Sequence, residues 1–355
     1  MGSLLRPQAL KAAFTQLREG AIDQTAYARV LDHEIREAVR RQEDVGLRSI
    51  TDGEFGRGSW FGFFFERMDG FRLEPSAFRF RDDQGRTYEW PTCLACGRIH
   101  RHHGVTTDEY KRLRGMTRQT PKVTMPSPSA FHFFRFNDPV DKSAYPDIDV
   151  YWNDLIEVFR SELKELGEIG CTYVQLDEVP LAMLCDPGIQ EQVRRLGGDP
   201  DALIEMYVDV LARVLAGAPP QMTFGLHLCR GNFRGRWMAE GGYDPIAERL
   251  FNVVPVHAFF LEYDSPRAGD FSPLRFVPKE KSVVLGLISS KSAELESKPE
   301  LQRRIEEASR YVPIERLALS PQCGFASVAA GNAMTEAQEM AKLRLVVDVA
   351  NKTWD

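Results

Sequence analysis

The chain has 355 residues, 43% of them hydrophobic and 27% charged, and carries a formal net charge of −6. Such a chain folds as one large globular domain or two small ones, and its acidic balance (pI near 5.8) offers no electrostatic footprint for nucleic acid or an anionic membrane. It has neither a run of about 18 apolar residues nor a charged-then-apolar leader with a cleavage site, so a cytoplasmic protein without a membrane span is expected.

From the N-terminus, the stub Gly2-Ser3-Leu4-Leu5-Arg6 reads as a short first strand, and residues 25–44 read as a helix with apolar side chains every three or four positions. A second strand over 48–55 leads into a long insertion, 56–118. Its aromatic start (Trp60, Phe61, Phe63, Phe64, Phe65) and glycine-bearing continuation predict a hairpin or lid. Strands then follow over 122–129, 172–180, 222–229, 256–264, 282–290 and 316–323, with helices over 148–169, 200–217, 244–252, 299–310 and 335–350. Such alternation implies a parallel sheet, and eight repeats imply its closure. The expected fold is a single α/β domain over 1–355, a TIM (β/α)8 barrel with a lid inserted after its second strand. An open doubly wound sheet is the runner-up, weakened by the lack of a Gly-x-Gly-x-x-Gly turn after any strand.

Four residues stand at strand ends, where a barrel keeps its chemistry. They are His227 and Cys229 in Gly-Leu-His-Leu-Cys, Glu262 in Phe-Leu-Glu-Tyr-Asp, and Cys323 in Ser-Pro-Gln-Cys-Gly. His227 and Cys229 are two apart, so both side chains leave one face of an extended strand. Glu262 follows Cys229 by 33 residues and Cys323 follows Glu262 by 61, about one and two strand-helix units of roughly 30 to 45 residues. Two thiolates favour zinc over magnesium or calcium, which want oxygen cages. Packing offers a plainer account, with Cys229 and Cys323 as small buried hydrophobes, His227 as a hydrogen-bonded core histidine and Glu262 on the surface.

Six cysteines in a chain of this kind argue for reduced thiols and metal ligands over a disulfide framework. Cys171 and Cys185 read as packing residues. Within the insertion, Cys93-Leu-Ala-Cys96 followed by His100, His102 and His103 resembles a small zinc knuckle, against the plainer reading of a surface loop.

Six ordered motifs then carry a family resemblance over nearly the whole chain: Gly2-Ser3, Asp52-Gly53-Glu54-Phe55, Gln175-Leu176-Asp177-Glu178, His227-x-Cys229, Glu262 and Pro321-Gln322-Cys323-Gly324. With them the chain resembles the C-terminal catalytic barrel of cobalamin-independent methionine synthase, and more closely its single-barrel relatives, in the uroporphyrinogen decarboxylase and methionine synthase-like superfamily. The resemblance implies a zinc-dependent thiol S-methyltransferase of methionine biosynthesis, moving methyl from a methylated folate (a methyltetrahydropteroyltriglutamate) to homocysteine. It implies His227, Cys229, Glu262 and Cys323 as zinc ligands, Glu54 and Asp177 around the ammonium group of the amino-acid thiol, and Ser3 near its carboxylate. Such a zinc site has a formal charge of about −1, which is unchanged when substrate thiolate replaces Glu262, the exchangeable ligand. A thiol held this way is deprotonated at neutral pH yet still nucleophilic. Taken singly, Glu54 and Asp177 would read as a helix cap or an arginine partner.

Where bacterial members of the family place a proton-transfer histidine, the segment 286–292 offers Lys291. That candidate catalytic group binds an anion, donates a proton if its pKa is depressed, or is a solvated surface charge. No basic groove for a glutamate tail is evident. A second enzyme reading uses the same zinc to join another thiol, such as coenzyme M, to an epoxide or a corrinoid-bound methyl group. In it Arg230, Arg234 and Arg236 grip a sulfonate, carboxylate or phosphate, unless they are simply a solvated basic loop. A third reading is a zinc-stabilised binding protein without turnover, which an all Cys and His shell would suit better than this mixed one. The expected partners are a small-molecule thiol and a methyl donor, with no nucleic acid and no membrane; a homo-oligomer is compatible with each reading.

Overall fold

The computed structural model describes residues 2–81 and 85–354. Residues 82–84, within the expected insertion, lie outside the described residues. In chain order the strands are β1 (Ser49–Ile50), β2 (Asp69–Pro75), β3 (Phe80–Arg81), β4 (Thr87–Tyr88), β5 (Pro91–His100), β6 (Thr120–Pro121), β7 (Val123–Pro126), β8 (Tyr173–Glu178), β9 (Thr223–Leu228), β10 (Ala258–Glu262), β11 (Ser282–Ile288) and β12 (Leu317–Pro321).

Six of these form one sheet in the order β12-β11-β10-β9-β8-β7, every pair parallel, while β1 pairs parallel with β6, which continues into β7 through Lys122. Strands such as β8 and β9 are buried along most of their length, as a sheet covered by helices requires. The strands follow sequence order without reversal, whereas a doubly wound sheet reverses at a switch point. The doubly wound reading is therefore set aside. Residues 2–6 form no ladder strand. Instead the Leu4 N–H donates to Gly53 O at 3.0 Å and the Phe325 N–H to Ser3 O at 2.9 Å, so the stub lies between the loop after β1 and the loop after β12.

The six expected helices occupy Gln24–Val45, Ile148–Glu168, Pro200–Leu215, Asp244–Val253, Lys298–Ala308 and Glu336–Trp354. Local signals account for their ends. The Asp23 carboxylate accepts from Ala26 N–H, Asp199 precedes Pro200 and accepts from two backbone N–H groups, and Gly46 ends its helix at φ 97°. Further helices at Gln8–Arg18, Thr107–Arg114 and Pro187–Arg195 lie outside the sequence expectation, because each is short and carries only two to four buried side chains. No helix among the described residues is long and apolar enough to cross a membrane.

The insertion does contain a hairpin, with β2 and β5 antiparallel, Leu73 opposite Cys93 and Asp69 opposite His100. Its aromatic start turns inward, where Phe64 stacks on Phe159 at 5.0 Å and Phe61 packs on Phe131 at 5.2 Å between ring centroids. One apolar core runs through the parallel sheet, its helices and the hairpin. A second, around Leu5, Ile35, Phe325 and Met340, lies beneath the chain ends.

Candidate functional site

In-register pairing brings the site together. β8 and β9 set Asp177 beside His227, β9 and β10 set His227 beside Phe260, and β10 and β11 set Glu262 beside Gly286. Cys229 follows the end of β9 and Cys323 the end of β12. One ligand atom from each of His227, Cys229 and Cys323 lies within 4.8 Å of the others. The Cys229 thiol donates to Cys323 Sγ at 3.4 Å. His227 Nδ1 is 3.4 Å from Phe260 O, while its Nε2 is buried with no hydrogen-bond partner. An imidazole held at one nitrogen and bare at the other, beside two thiols, is a donor set that suits a tetrahedral, sulfur-accepting cation such as zinc. Donation from Cys229, then the His227 and Lys291 charges, hold Cys323 well below the ordinary thiol range, and Cys229 is correspondingly high. Burial opposes a charged His227, but Cys323 and Asp177 outweigh it and raise that pKa.

Glu262 is buried next to this group but outside it. Its Oε1 lies 3.1 Å from Lys291 Nζ and its Oε2 accepts from Arg230 N–H at 2.9 Å. Burial opposes the carboxylate, yet Lys291 and Arg230 hold its pKa below the usual value. Neither the depressed proton donor nor the solvated charge expected of Lys291 is found. Its side chain is only 7% exposed, and Glu262 and Asp264 overcome burial to raise its pKa. Of the arginines proposed to grip an anion, one is not free to do so. Arg230 is fully buried and spends its guanidinium on Gly241 O, Tyr243 Oη and Glu262 O, Arg236 lies over the Tyr88 ring at 4.1 Å, and Arg234 is exposed.

Glu54 sits in the left-handed region at φ 58°, strained for a residue with a Cβ. Bonds at both ends hold it there: its N–H donates to Asp52 Oδ1 at 2.8 Å and its carbonyl accepts from Arg6 at 2.9 Å. Thr124 Oγ1 donates to its Oε1 at 2.8 Å, and Arg57 stands 3.6 Å from its Oε2. This turn is also why the expected strand over 48–55 shrinks to β1. Asp177 accepts from Gln175 at 2.6 Å, and burial raises its pKa to about 6. Ser3 threads between these groups and β12. A Cβ on Gly324 would come within 2.0 Å of Ser3 Oγ, and one on Gly2 within 2.2 Å of Glu54 Oε1, so a side chain at either position would push these site groups aside.

Ser3, Glu54, Asp177, His227, Cys229 and Cys323 all line one cavity of about 270 Å³. Trp60, Phe61, Phe80, Trp90, Phe134 and Phe233 line it as well. Sequence reasoning missed Thr124, Arg57 and Asn232, which donates to Ser290 Oγ and Gly324 O. No spacing signal marks them, because they meet the site only through the fold.

The Cys93 and Cys96 pair does not form a knuckle or a surface loop. Both lie on β5 three residues apart, so their side chains leave opposite faces, and Cys93 is buried with its pKa pushed up by desolvation. His100 and His102 instead form an exposed group with Asp69, at 3.3 and 2.6 Å from its Oδ2. Cys171 and Cys185 are core thiols that burial raises to about 11 and about 12.

Comparison with known proteins bears on this arrangement. The family model described as the catalytic domain of cobalamin-independent synthase matches residues 1–352. An uncharacterised Bacillus subtilis protein, YxjH, is 37% identical over 360 residues, covering 100% of this chain and 93% of that protein. The methionine synthase of Pyrococcus furiosus is 24% identical, covering 91% of this chain and 84% of its own length. A Listeria monocytogenes crystal structure, provisionally named a vitamin-B12-independent methionine synthase, superposes with a TM-score of 0.77 at 30% identity, covering 100% of this chain and 96% of that one. On these grounds the chain belongs to the family of cobalamin-independent synthase catalytic domains.

Proposed function

We propose that this protein is a zinc-dependent S-methyltransferase of the methionine synthase type, with homocysteine as the thiol acceptor. The carrying observation is that a buried Cys, Cys and His group shares one cavity with Glu54 and Asp177. The reading takes the parallel strands as a closed (β/α)8 barrel, supported by their sequential order and by the stub's bonds to the loops after β1 and β12. It takes the hairpin as a lid, supported by Trp90 beside β5 and Phe80 in β3 lining the same cavity as the thiols.

His227, Cys229 and Cys323 would hold the zinc, and Glu262 would join them on release from Lys291. Zinc bound there supplies Lewis acidity that keeps an acceptor thiol deprotonated at neutral pH. Glu54 and Asp177 offer negative charge to the ammonium group of an amino-acid thiol, and Ser3 faces its carboxylate. Lys291 keeps Glu262 ionised and turned aside, leaving room for the acceptor sulfur. The family resemblance names a methylated folate as the donor.

Zinc-edge X-ray absorption on the purified protein tests the acceptor. With homocysteine, a zinc shell of two sulfurs is expected to become one of three. A change with coenzyme M alone would favour the second enzyme reading, and no change with any thiol would leave zinc in a non-catalytic role.

A further inference from the structure

The cavity beside the thiols has one-sided chemistry. Its aromatic wall is continuous: Trp90 meets Phe134 edge-on at 4.5 Å, Phe80 lies 5.7 Å from Trp90, and Phe80 stacks on Phe233 at 5.0 Å between centroids. Apart from the candidate metal ligands, its ionisable lining residues are Glu54, Glu66 and Asp177, and no lysine or arginine is among the described residues that line it. Buried cations elsewhere in the site are already committed, Lys291 to Glu262 at 3.1 Å and Arg57 to Glu109 at 2.7 Å and to Glu54 at 3.6 Å.

A polyglutamylated folate brings several carboxylates; with Glu54 and Asp177 given to the acceptor's ammonium group in the reading above, the described lining still offers it Glu66 and no lysine or arginine. Aromatic faces with acidic neighbours instead attract an organic cation, electrostatically through the rings and directly through the carboxylates. We infer that the methyl donor of this protein is a small methylsulfonium compound seated against Trp90, Phe80 and Phe134. This deepens the methyl-transfer reading above and rests on it.

The step balances without a further reagent. The acceptor thiolate's lone pair forms the new S–CH3 bond as the donor's CH3–S bond breaks. That bond's electron pair stays on the donor sulfur, which leaves as a neutral thioether, so no proton need reach the leaving group. A folate nitrogen, by contrast, needs a proton to leave. An anion and a cation become two neutral molecules, and a water-poor aromatic wall suits a transition state in which charge is vanishing.

The test uses zinc-loaded protein with homocysteine and, in turn, S-methylmethionine, trimethylsulfonium, glycine betaine and methyltetrahydropteroyltriglutamate, with methionine and the released thioether both measured. Turnover with a sulfonium and none with the folate is the expected result. Trimethylsulfonium should also quench tryptophan fluorescence at a concentration about tenfold or more below neutral tert-butanol, a preference that Trp90→Leu should reduce. Turnover with the folate or with betaine but not with a sulfonium would overturn the inference. So would failure of every donor while homocysteine still enters the zinc shell, which would leave the acceptor reading intact. If homocysteine also fails to enter that shell, the methyl-transfer reading falls and the donor inference falls with it.

Discussion

Cys323 gathers the chemistry of the site at one atom. Its sulfur is 3.4 Å from Cys229 Sγ, and the hydrogen bond from Cys229 with the charges of His227 and Lys291 holds its pKa well below the ordinary thiol range. Cys323→Ser keeps the shape but replaces a thiolate with a hydroxyl that stays protonated and binds zinc poorly. Zinc affinity is expected to fall by about 10-fold or more and methionine formation by about 100-fold or more, read by metal analysis after dialysis against a chelator and by product assay. Full zinc with full turnover would remove Cys323 from the ligand set. The three residues of this group were legible in the sequence because strand period and strand ends are local facts. Glu262 was legible as a site residue, but its engagement by Lys291 and Arg230 was not. Those contacts depend on how loops after three different strands settle against each other, which no spacing records.

At the scale of elements, the parallel strands were legible from their apolar runs, and their over-long expected ends reflect polar site residues that turn away. The hairpin was legible as an interruption with aromatic character, but its strands were not. In β5 the Cys93 to Cys96 spacing invites a metal reading until the extended backbone separates the two thiols by face. The weak point of the hairpin is its base, where Gly70 has φ 88° and a Cβ would come within 2.7 Å of Arg98 O and 2.8 Å of Gly97 O. Gly70→Ala is therefore expected to lower the unfolding free energy by about 1–3 kcal/mol in a urea titration. If the hairpin covers the cavity, the same variant should be cut faster by protease between β2 and β5 while its zinc content stays whole. Unchanged stability and unchanged cutting would show that the base tolerates a side chain and has no part in holding the hairpin.

Across the whole molecule, the two ends of the chain are fastened to each other by polar groups more than by a ladder. Arg6 donates to Ala326 O at 3.2 Å, to Glu54 O at 2.9 Å and to Arg57 O at 2.8 Å, so one guanidinium links the loop after β12 to the strained turn that carries Glu54. Next to it, the Leu5 N–H donates to Glu339 Oε1 at 2.9 Å on the last helix. Glu339 is 3% exposed, and burial raises its pKa to about 8 from an ordinary 4.5, opposed by the Leu5 bond and reinforced by Glu336. The folded state thus keeps a proton there that the unfolded chain has already lost. Its contribution to stability is complete below pH 4.5 and drains away as pH rises toward about 8. Glu339→Gln preserves the acceptor for Leu5 and removes the titration. The variant is expected to gain on wild type steadily between those pH values, reaching a difference of about 4 kcal/mol near pH 8 in paired urea titrations. A difference that stays flat with pH would mean that Glu339 remains ionised in the folded protein. In that case the closure of the chain ends would rest on Arg6 and the backbone bonds, and would be insensitive to pH in this range.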